Sequence, residues 1–537
     1  MMNTQLTLTE MIKHTEKYYD TKKVISRTHG GVHVFTYKET IERMRRLASV
    51  LRSLGVEKGD RVGTFAWNHH RHLEAYFAAP NIGAVVHTIN IRLAEDDLVY
   101  IINHAADKVL LIDEDLLPII ESIKERLTTV QAFVLMTDEA ELPESSIEGL
   151  YSYEELLANG DSEFQFSTDI DENDPAGICY TSGTTGKPKG VVYSHRGIYL
   201  HSLALGLKDT LSLSEDDVAM PVVPMFHVNA WGIPFATTWF GSTQVLPGPN
   251  VTPRILAELI DEYKVTITAG VPTVWLGLAK ELETGDFDVS SLRMLICGGS
   301  AAPKGLIKTF EEKFNIPFYH AYGMTETSPV VSFARIKSYQ SELSAEEKVE
   351  IVSKQGIAIP GIELKVVNEN GEVRNDGEDM GDLLIRGPWI ADSYYKDDRS
   401  KGTFKDGWLH TGDVAVVDEE GAIKIVDRTK DLIKSGGEWI SSVDLENSLM
   451  AHEAVFEAAV VAVPDPKWQE RPVACVVLKD DAKGKVTEED ILEYLEPQFA
   501  KWWLPDKVLF IDEVPKTSVG KFLKRALRDQ VKEQLAL

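Results

Sequence analysis

Tyr180-Thr-Ser-Gly-Thr-Thr-Gly-Lys-Pro-Lys-Gly190 is the stretch on which the fold turns. Thr181, Ser182, Thr184 and Thr185 supply hydroxyls, Gly183, Gly186 and Gly190 leave the backbone bare, and Lys187 and Lys189 add mobile positive charge. Short apolar runs flank it at 176–180 and 190–194, and both read as buried strands. A loop of this make-up between strands offers many free N–H groups beside hydroxyls and cations, which suits a phosphate chain. A plain hairpin turn needs one or two glycines and leaves the hydroxyls and lysines unexplained. Gly183-Thr-Thr-Gly-Lys187 is too short for G-x-x-x-x-G-K-[ST], and Pro188 stands where that motif wants Ser or Thr to open a helix.

Upstream, apolar strands at 61–66, 84–89 and 108–112 alternate with helical patterns at 70–79, stopped by Pro80, and at 94–104. This is the α/β pattern, with strands buried on both faces. Thr7-x-x-Glu10 and Thr36-x-x-Glu39 are capping-box signatures, and the helical run 41–54 ends at Gly55. His69, His70 and His72 lack the i, i+4 spacing of a helical ligand pair, so a solvated helix start is expected rather than a metal site. Downstream, residues 220–240 gather large apolar side chains beside His227. They fit an apolar substrate tunnel and a core helix equally well. Strands at 266–270 and 294–297 follow, the second running into Gly298-Gly-Ser-Ala-Ala302 and then Pro303 at a helix start, where an open α/β sheet holds its ligand. Residues 318–327 form another strand-to-loop passage, carrying Glu326. From about residue 356 the pattern becomes hairpins, with Asn370-Gly371 as a turn. Beyond Arg428 it is mixed again, with strands at 457–463, 472–478 and 507–511 and a helix at 488–496, enough for a small separate domain.

The totals bound the class. A chain of 537 residues predicts two to four domains. Its net charge of −28 argues against a nucleic-acid binder and requires any polyanionic ligand to find a local basic patch. Cys179, Cys297 and Cys475 are too scattered for a disulfide framework or a zinc site. No signal pattern and no apolar run of transmembrane length occur, so the cytoplasm is the expected compartment.

Five motifs then combine in one order: the loop 181–190, Tyr322-Gly-Met-Thr-Glu326, Thr411-Gly-Asp413, Asp427-Arg-Thr-Lys-Asp431 and Pro515-Lys-Thr-Ser-Val-Gly-Lys521. Over essentially its whole length the chain resembles the adenylate-forming enzymes: acyl-CoA synthetases, aryl-CoA ligases, peptide-synthetase adenylation domains and luciferases. Val223-Pro-Met-Phe-His-Val-Asn-Ala-Trp231 and Lys434-Ser-Gly-Gly-Glu-Trp-Ile-Ser-Ser-Val443 look most like bacterial medium- or long-chain fatty acyl-CoA synthetases. The resemblance implies a mixed α/β fold. A large N-terminal domain (1–427) would hold two doubly wound αβ subdomains and a β-rich, barrel-like subdomain (about 356–427). A hinge at 428–430 would lead to a small mobile α+β C-terminal domain (431–537). It implies a homodimer and a reaction in which ATP, a fatty acid and CoA give acyl-CoA, AMP and pyrophosphate through an acyl-adenylate, with Mg²⁺. The alternatives are a CoA ligase for aryl, short-chain or sulfur-containing acids, an acyl-AMP ligase loading a carrier protein, and a non-catalytic binder, which intact Thr184, Glu326, Asp413, Arg428 and Lys521 argue against.

Residue by residue, the resemblance implies that Thr181, Ser182, Gly183, Thr184, Thr185, Gly186, Lys187 and Lys189 wrap the phosphates, with Thr184 and Glu326 on the metal side. Gly298, Gly299, Ser300, Ala301, Ala302 and Tyr322 would hold the adenine, Gly323 and Thr325 would join the nucleotide site, and Asp413 and Arg428 would bind the ribose. Lys521 would carry a cation to the reacting oxygens. Lys430 matches the pivot. Lys434, Gly436, Gly437 and Trp439 match the CoA side, with Trp439 either on that passage or in the core. His227, Trp231, Gly232 and Phe235 match the acyl pocket, His227 lying near the acceptor carboxylate and Trp231 serving as a lid. Peptide-synthetase domains commonly have an aspartate after the equivalent of Phe226; His227 here disfavours an amino-acid substrate. Gly381-Asp382 replaces a frequent Gly-Glu, a conservative departure. After Lys521, apolar Phe522, Leu523, Ala526, Leu527 and Val531 alternate with basic residues, a pattern fitting peripheral contact with anionic lipid or packing within the domain.

Overall fold

The computed structural model describes residues 2–181, 186–436, 438–517 and 522–535. Four sheets organise them. A seven-stranded sheet runs Tyr151–Ser152, Ala132–Met136, Asp107–Asp113, Arg61–Phe65, Val85–Thr88, Pro175–Tyr180, Gly190–Ser194, parallel except for its last pair. A nine-stranded sheet has a parallel centre, with Met294–Cys297 between Ile267–Gly270 and Phe318–Gly323, and antiparallel edges. The central strands are buried end to end, as parallel strands covered on both faces must be. A six-stranded antiparallel sheet follows at 363–428, and a five-stranded sheet lies beyond residue 432. The predicted two αβ layers, hairpin region and small mixed C-terminal unit are all present.

The chain does not fill these sheets in order. Lys23–Arg27 and Val32–Thr36 form a hairpin on the edge of the nine-stranded sheet, before the chain crosses to the seven-stranded one and returns. Two local expectations separate here. Thr36 and Glu39 close the capping box of Tyr37–Ser53. Thr7 sits at the N-cap of Leu8–Tyr18 without a side-chain cap bond. There the Leu8 N–H donates to His195 Nδ1 at 3.2 Å, and Glu10 turns outward to Lys13.

The histidine cluster corrects the sequence reading. His69, His70 and His72 are buried, not solvated. Each has a partner: His69 on Asp113 at 2.7 Å, His70 on Ser26 at 2.9 Å, and His72 between Thr64 and the Trp67 carbonyl. They knit the start of His70–Ala78 to three strand ends. Among the described residues no group of three His, Cys, Asp or Glu is placed to hold a metal. No described helix is long and apolar enough to cross a membrane. The helix Lys524–Gln534 buries Leu527 and Val531 against Ala459, Val461 and Cys475, so packing within the C-terminal unit accounts for its apolar face.

Candidate active site

The phosphate-like loop is a hairpin connection in topology. Pro175–Tyr180 and Gly190–Ser194 pair antiparallel, with Tyr180 opposite Gly190. The base is closed by the Thr181 N–H on the Lys189 carbonyl (2.9 Å) and the Lys189 N–H on Thr181 Oγ1 (3.2 Å). Ser182, Gly183, Thr184 and Thr185 lie outside the described residues. Gly186 has a left-handed φ of 121°, and Lys187 stands over the Tyr100 ring at 4.6 Å.

Glu326 lies in the short turn Thr325–Thr327 and is 5% exposed. Its Oε1 accepts from Tyr394 Oη at 2.6 Å, and Tyr394 Oη accepts from Lys189 Nζ at 2.8 Å. Burial lowers the Lys189 pKa, with Glu326 working the other way. Tyr394 belongs to a strap over the loop. Tyr395 N–H donates to the Gly190 carbonyl (2.8 Å), Arg399 Nη1 to the Lys187 carbonyl (3.0 Å), and Ala391 N–H to the Glu326 carbonyl (2.9 Å). Sequence reasoning missed Tyr394 and Arg399. Their one signal was a run of charged and aromatic residues, 392–399, between two recognised motifs.

Asp413 and Arg428 are brought together by strand register, directly opposite each other on Trp408–Val417 and Ile423–Arg428. Arg428 Nε lies 3.5 Å from Asp413 Oδ1, and Tyr322 Oη donates to Oδ2 at 2.5 Å. Burial and then Asp413 hold the Tyr322 phenol well above its ordinary pKa, so it stays a donor. A nearly buried carboxylate with a phenol on one side and a half-exposed guanidinium on the other can accept from a pair of sugar hydroxyls. Tyr322 ends the strand Phe318–Gly323 and Glu326 lies in the turn Thr325–Thr327 just after it, so one short segment joins the two clusters. Lys187, Lys189, Arg399 and Arg428 are the cations of these clusters, with Arg399 paired to Asp397 and Arg428 to Asp413.

Tyr322 and Gly323 end the strand Phe318–Gly323, and Thr325 is buried, its carbonyl accepting from Tyr193 Oη at 2.8 Å. Met294–Cys297 opens into Gly298, Gly299, Ser300 and Ala301, with Ala302 buried. Gly298 is required by contact: a Cβ there would lie 2.8 Å from the Trp231 ring and 2.9 Å from the Ala321 carbonyl. Trp231 closes a turn, Val228–Trp231, in which four consecutive non-glycine residues have φ between 48° and 58°. Left-handed backbone costs about 1–2 kcal/mol per such residue. Asn229 helps hold it, Oδ1 accepting from Cys179 Sγ at 3.3 Å and Thr88 Oγ1 at 3.4 Å. Gly232 continues the turn beside His201, whose Nε2 accepts from the Val330 N–H at 3.2 Å. Burial depresses the His201 pKa to about 3. His227 is half-buried at the head of the turn. Phe235 stands apart: 1% exposed, stacked on Tyr76 and edge-on to Phe77, it is core. The two sequence readings of 220–240 therefore divide. Ile233–Phe240 is a core helix, and the left-handed turn before it brings Trp231 against Gly298.

Asp427 Oδ2 accepts from the Ser442 N–H at 2.9 Å and from the Ser442 hydroxyl, so the strand before Lys430 caps the first helix after it. Arg528 reaches Asp431 at 3.1 Å, and Lys524 pairs with Glu446 at 2.7 Å; burial pushes the Glu446 pKa up to about 7. Lys430 is exposed. Lys434 lies over the Trp439 ring at 5.3 Å, and Trp439 is 41% exposed, which excludes it from the core. Gly436 is required twice, by a φ of 63° and by the Trp468 ring 2.8 Å from its missing Cβ. Gly437 and Lys521 lie outside the described residues. Lys516 and Phe522 form an isolated antiparallel bridge, and the neighbouring lysines are engaged, Lys516 by Glu457 and Lys524 by Glu446.

Comparison with known proteins supplies the remaining finding. The family model for AMP-binding enzymes matches residues 13–395, and that for the AMP-binding enzyme C-terminal domain matches residues 444–521. A long-chain-fatty-acid–CoA ligase of Thermus thermophilus is 51% identical over 99% of this chain and 97% of its own length. A 3-methylmercaptopropionyl-CoA ligase of Ruegeria lacuscaerulensis is 45% identical over 100% of this chain and 99% of its own. The crystal structure of an anthranilate CoA ligase in complex with anthranoyl-AMP superposes with a TM-score of 0.88 at 25% identity, covering 100% of this chain and 99% of that one.

Proposed function

The chain belongs to the AMP-binding enzyme family, and from that premise we propose that it is a fatty acid–CoA ligase forming acyl-CoA, AMP and pyrophosphate from ATP, a medium- or long-chain fatty acid and CoA. The observation that carries the nucleotide half is Asp413 between Tyr322 and Arg428, in electrostatic reach of Glu326. The full-length likeness to a long-chain-fatty-acid–CoA ligase supports the acyl half.

In the first step the fatty carboxylate attacks the α-phosphorus and pyrophosphate departs. Positioning and positive charge carry such a transfer. Asp413, with Arg428 and Tyr322, fixes the ribose; Gly298 to Ala302 and Tyr322 flank the adenine; the loop 181–189 holds the departing phosphates. Lys521 reaches the oxygens between carboxylate and phosphorus. One nearly buried carboxylate, Glu326, fits Mg²⁺, which takes one or two carboxylates plus substrate phosphates rather than a protein cage. Thr184 joins Glu326 on that side. Bound there, Mg²⁺ would offset charge on the phosphates. In the second step the CoA thiol displaces AMP from the acyl-adenylate. A C-terminal domain at 431–537 turns on a hinge at 428–430 about Lys430, withdrawing Lys521 and presenting Lys434, Gly436, Gly437 and Trp439 to pantetheine. Few positions are needed to absorb such a turn. Trp231 closes the acyl side, with His227 near the carboxylate. A cytoplasmic homodimer completes the proposal on the family likeness, and sedimentation equilibrium tests the dimer.

The decisive assay is pyrophosphate release with a panel of acids, followed by detection of the thioester. Medium- and long-chain acids should give the highest kcat/KM. A preference for 3-methylmercaptopropionate, the reading favoured by the second relative, or for aryl acids, would move the assignment within the ligases. Transfer to a pantetheinylated carrier but not to CoA would replace it.

A further inference from the structure

We propose that Tyr394 is a positioning residue for the nucleotide: its hydroxyl keeps the Lys189 ammonium and the Glu326 carboxylate apart, so that both charges remain available to the ATP phosphates. The proposal rests on the ligase reading above.

Lys189 has a long flexible stem, and Glu326 is 5% exposed a short distance away. An ammonium and a carboxylate attract strongly where the effective dielectric is low, and left to themselves they close into a direct pair. Here the phenol stands between them. Tyr394 Oη gives its proton to Glu326 Oε1 at 2.6 Å and takes one from Lys189 Nζ at 2.8 Å. The ammonium also rests over the ring, 4.1 Å from its centre. Tyr394 takes only Oε1; no described side chain donates to Glu326 Oε2.

The interposed ring is itself held. Tyr394 N–H donates to Ser400 Oγ at 2.9 Å, and Phe404 meets its edge at 5.1 Å. The strap that carries it also grips the Glu326 carbonyl through Ala391 and the Gly190 carbonyl through Tyr395. One segment thus fixes the spacing of a loop cation and a carboxylate from a different sheet. Without the hydroxyl, Lys189 would close on Glu326, and the site would lose a phosphate ligand and a metal ligand together.

Tyr394→Phe tests this in the full chain, because the ring keeps its packing on Phe404. Calorimetric titration with ATP, in Mg²⁺ and in EDTA, should show Kd for Mg·ATP raised about tenfold, the size of one charge-assisted hydrogen bond. The KM for the fatty acid, and thioester formation from supplied acyl-AMP, should stay within about twofold. Lys189→Met should weaken ATP binding by itself, and adding Tyr394→Phe to it should cost little more, since no ammonium remains to close on Glu326. An unchanged ATP Kd in Tyr394→Phe, additive losses in the double variant, or equal loss in both half-reactions would overturn the proposal. Failure of the unaltered protein to release pyrophosphate with any acid, while ATP affinity still depended on Tyr394 in this non-additive way, would remove the ligase reading and support the positioning role.

Discussion

The proposed nucleotide side and the proposed acyl side are built by different means. The nucleotide side is set by side chains on regular backbone: Asp413 faces Arg428 because two antiparallel strands are in register, and Tyr322 ends a strand. The acyl side is set by irregular backbone: four successive left-handed residues place Trp231 against Gly298. The first arrangement is charged and depends on which residues are present. The second is apolar and depends on a shape that several sequences could fill. Chemistry shared by a family belongs on the first kind of scaffold, and substrate choice on the second.

The largest test of that division is Lys521→Ala. It should cost adenylation about 10³-fold while thioester formation from supplied acyl-AMP survives. Equal loss in both half-reactions would erase the distinction between the steps. Asp413→Ala should raise the KM for ATP about 10–100-fold, because a nearly buried acceptor is lost and Arg428 and Tyr322 lose their partner, and should leave the KM for the acid alone. A matching rise in both would mean that the two sides are not separable. Trp231→Ala should do the reverse. It should shift the kcat/KM ratio between short and long acids about tenfold, the low end of what one methylene is worth in an apolar pocket, with the KM for ATP unchanged. Constant ratios across the panel would take Trp231 out of the acyl side.

The last test concerns stability in acid. His201, beneath the left-handed turn, and His72, in the seven-stranded layer, are neutral when folded, their pKa depressed by burial to about 3 from an ordinary 6.5. Between those values the unfolded chain binds protons that the folded chain refuses. Their contribution is therefore complete above pH 6.5 and is lost as the pH falls toward 3, by about 1.4 kcal/mol per pH unit for each group. The melting temperature should decline below pH 6.5, and His201→Gln should flatten part of the decline. An identical slope in that variant would assign the acid sensitivity elsewhere.

The parallel strands and the residues at their ends were legible in the sequence because burial on both faces forces apolar runs, and a change of texture marks where they stop. Asp413 and Arg428 were legible as motif members, and their pairing is a matter of register. The edge hairpin at 23–36 passed unread although Gly30-Gly31 punctuates two β-rich runs; its exposed Val32 and Val34 hide the usual inward pattern. Residues 228–231 could not be read as left-handed, since none is glycine and Asn229 in the turn is held by Thr88 and Cys179 from elsewhere in the chain. Tyr394 was hidden for a related reason: its partners come from positions 189 and 326, which only tertiary structure brings together.

The hairpin base of the loop proposed to hold the phosphates has a consequence for how such a protein can change. Tyr180 and Gly190 are paired across the sheet, so everything from 181 to 189 leaves and returns at one fixed point. The ends are already joined by the scaffold, and loop closure grows more costly only slowly with length, by about 0.6 kcal/mol for each doubling. Insertions or exchanges within the loop would put catalysis at risk long before they put folding at risk. The fold can therefore try new loops there without gambling its stability on them.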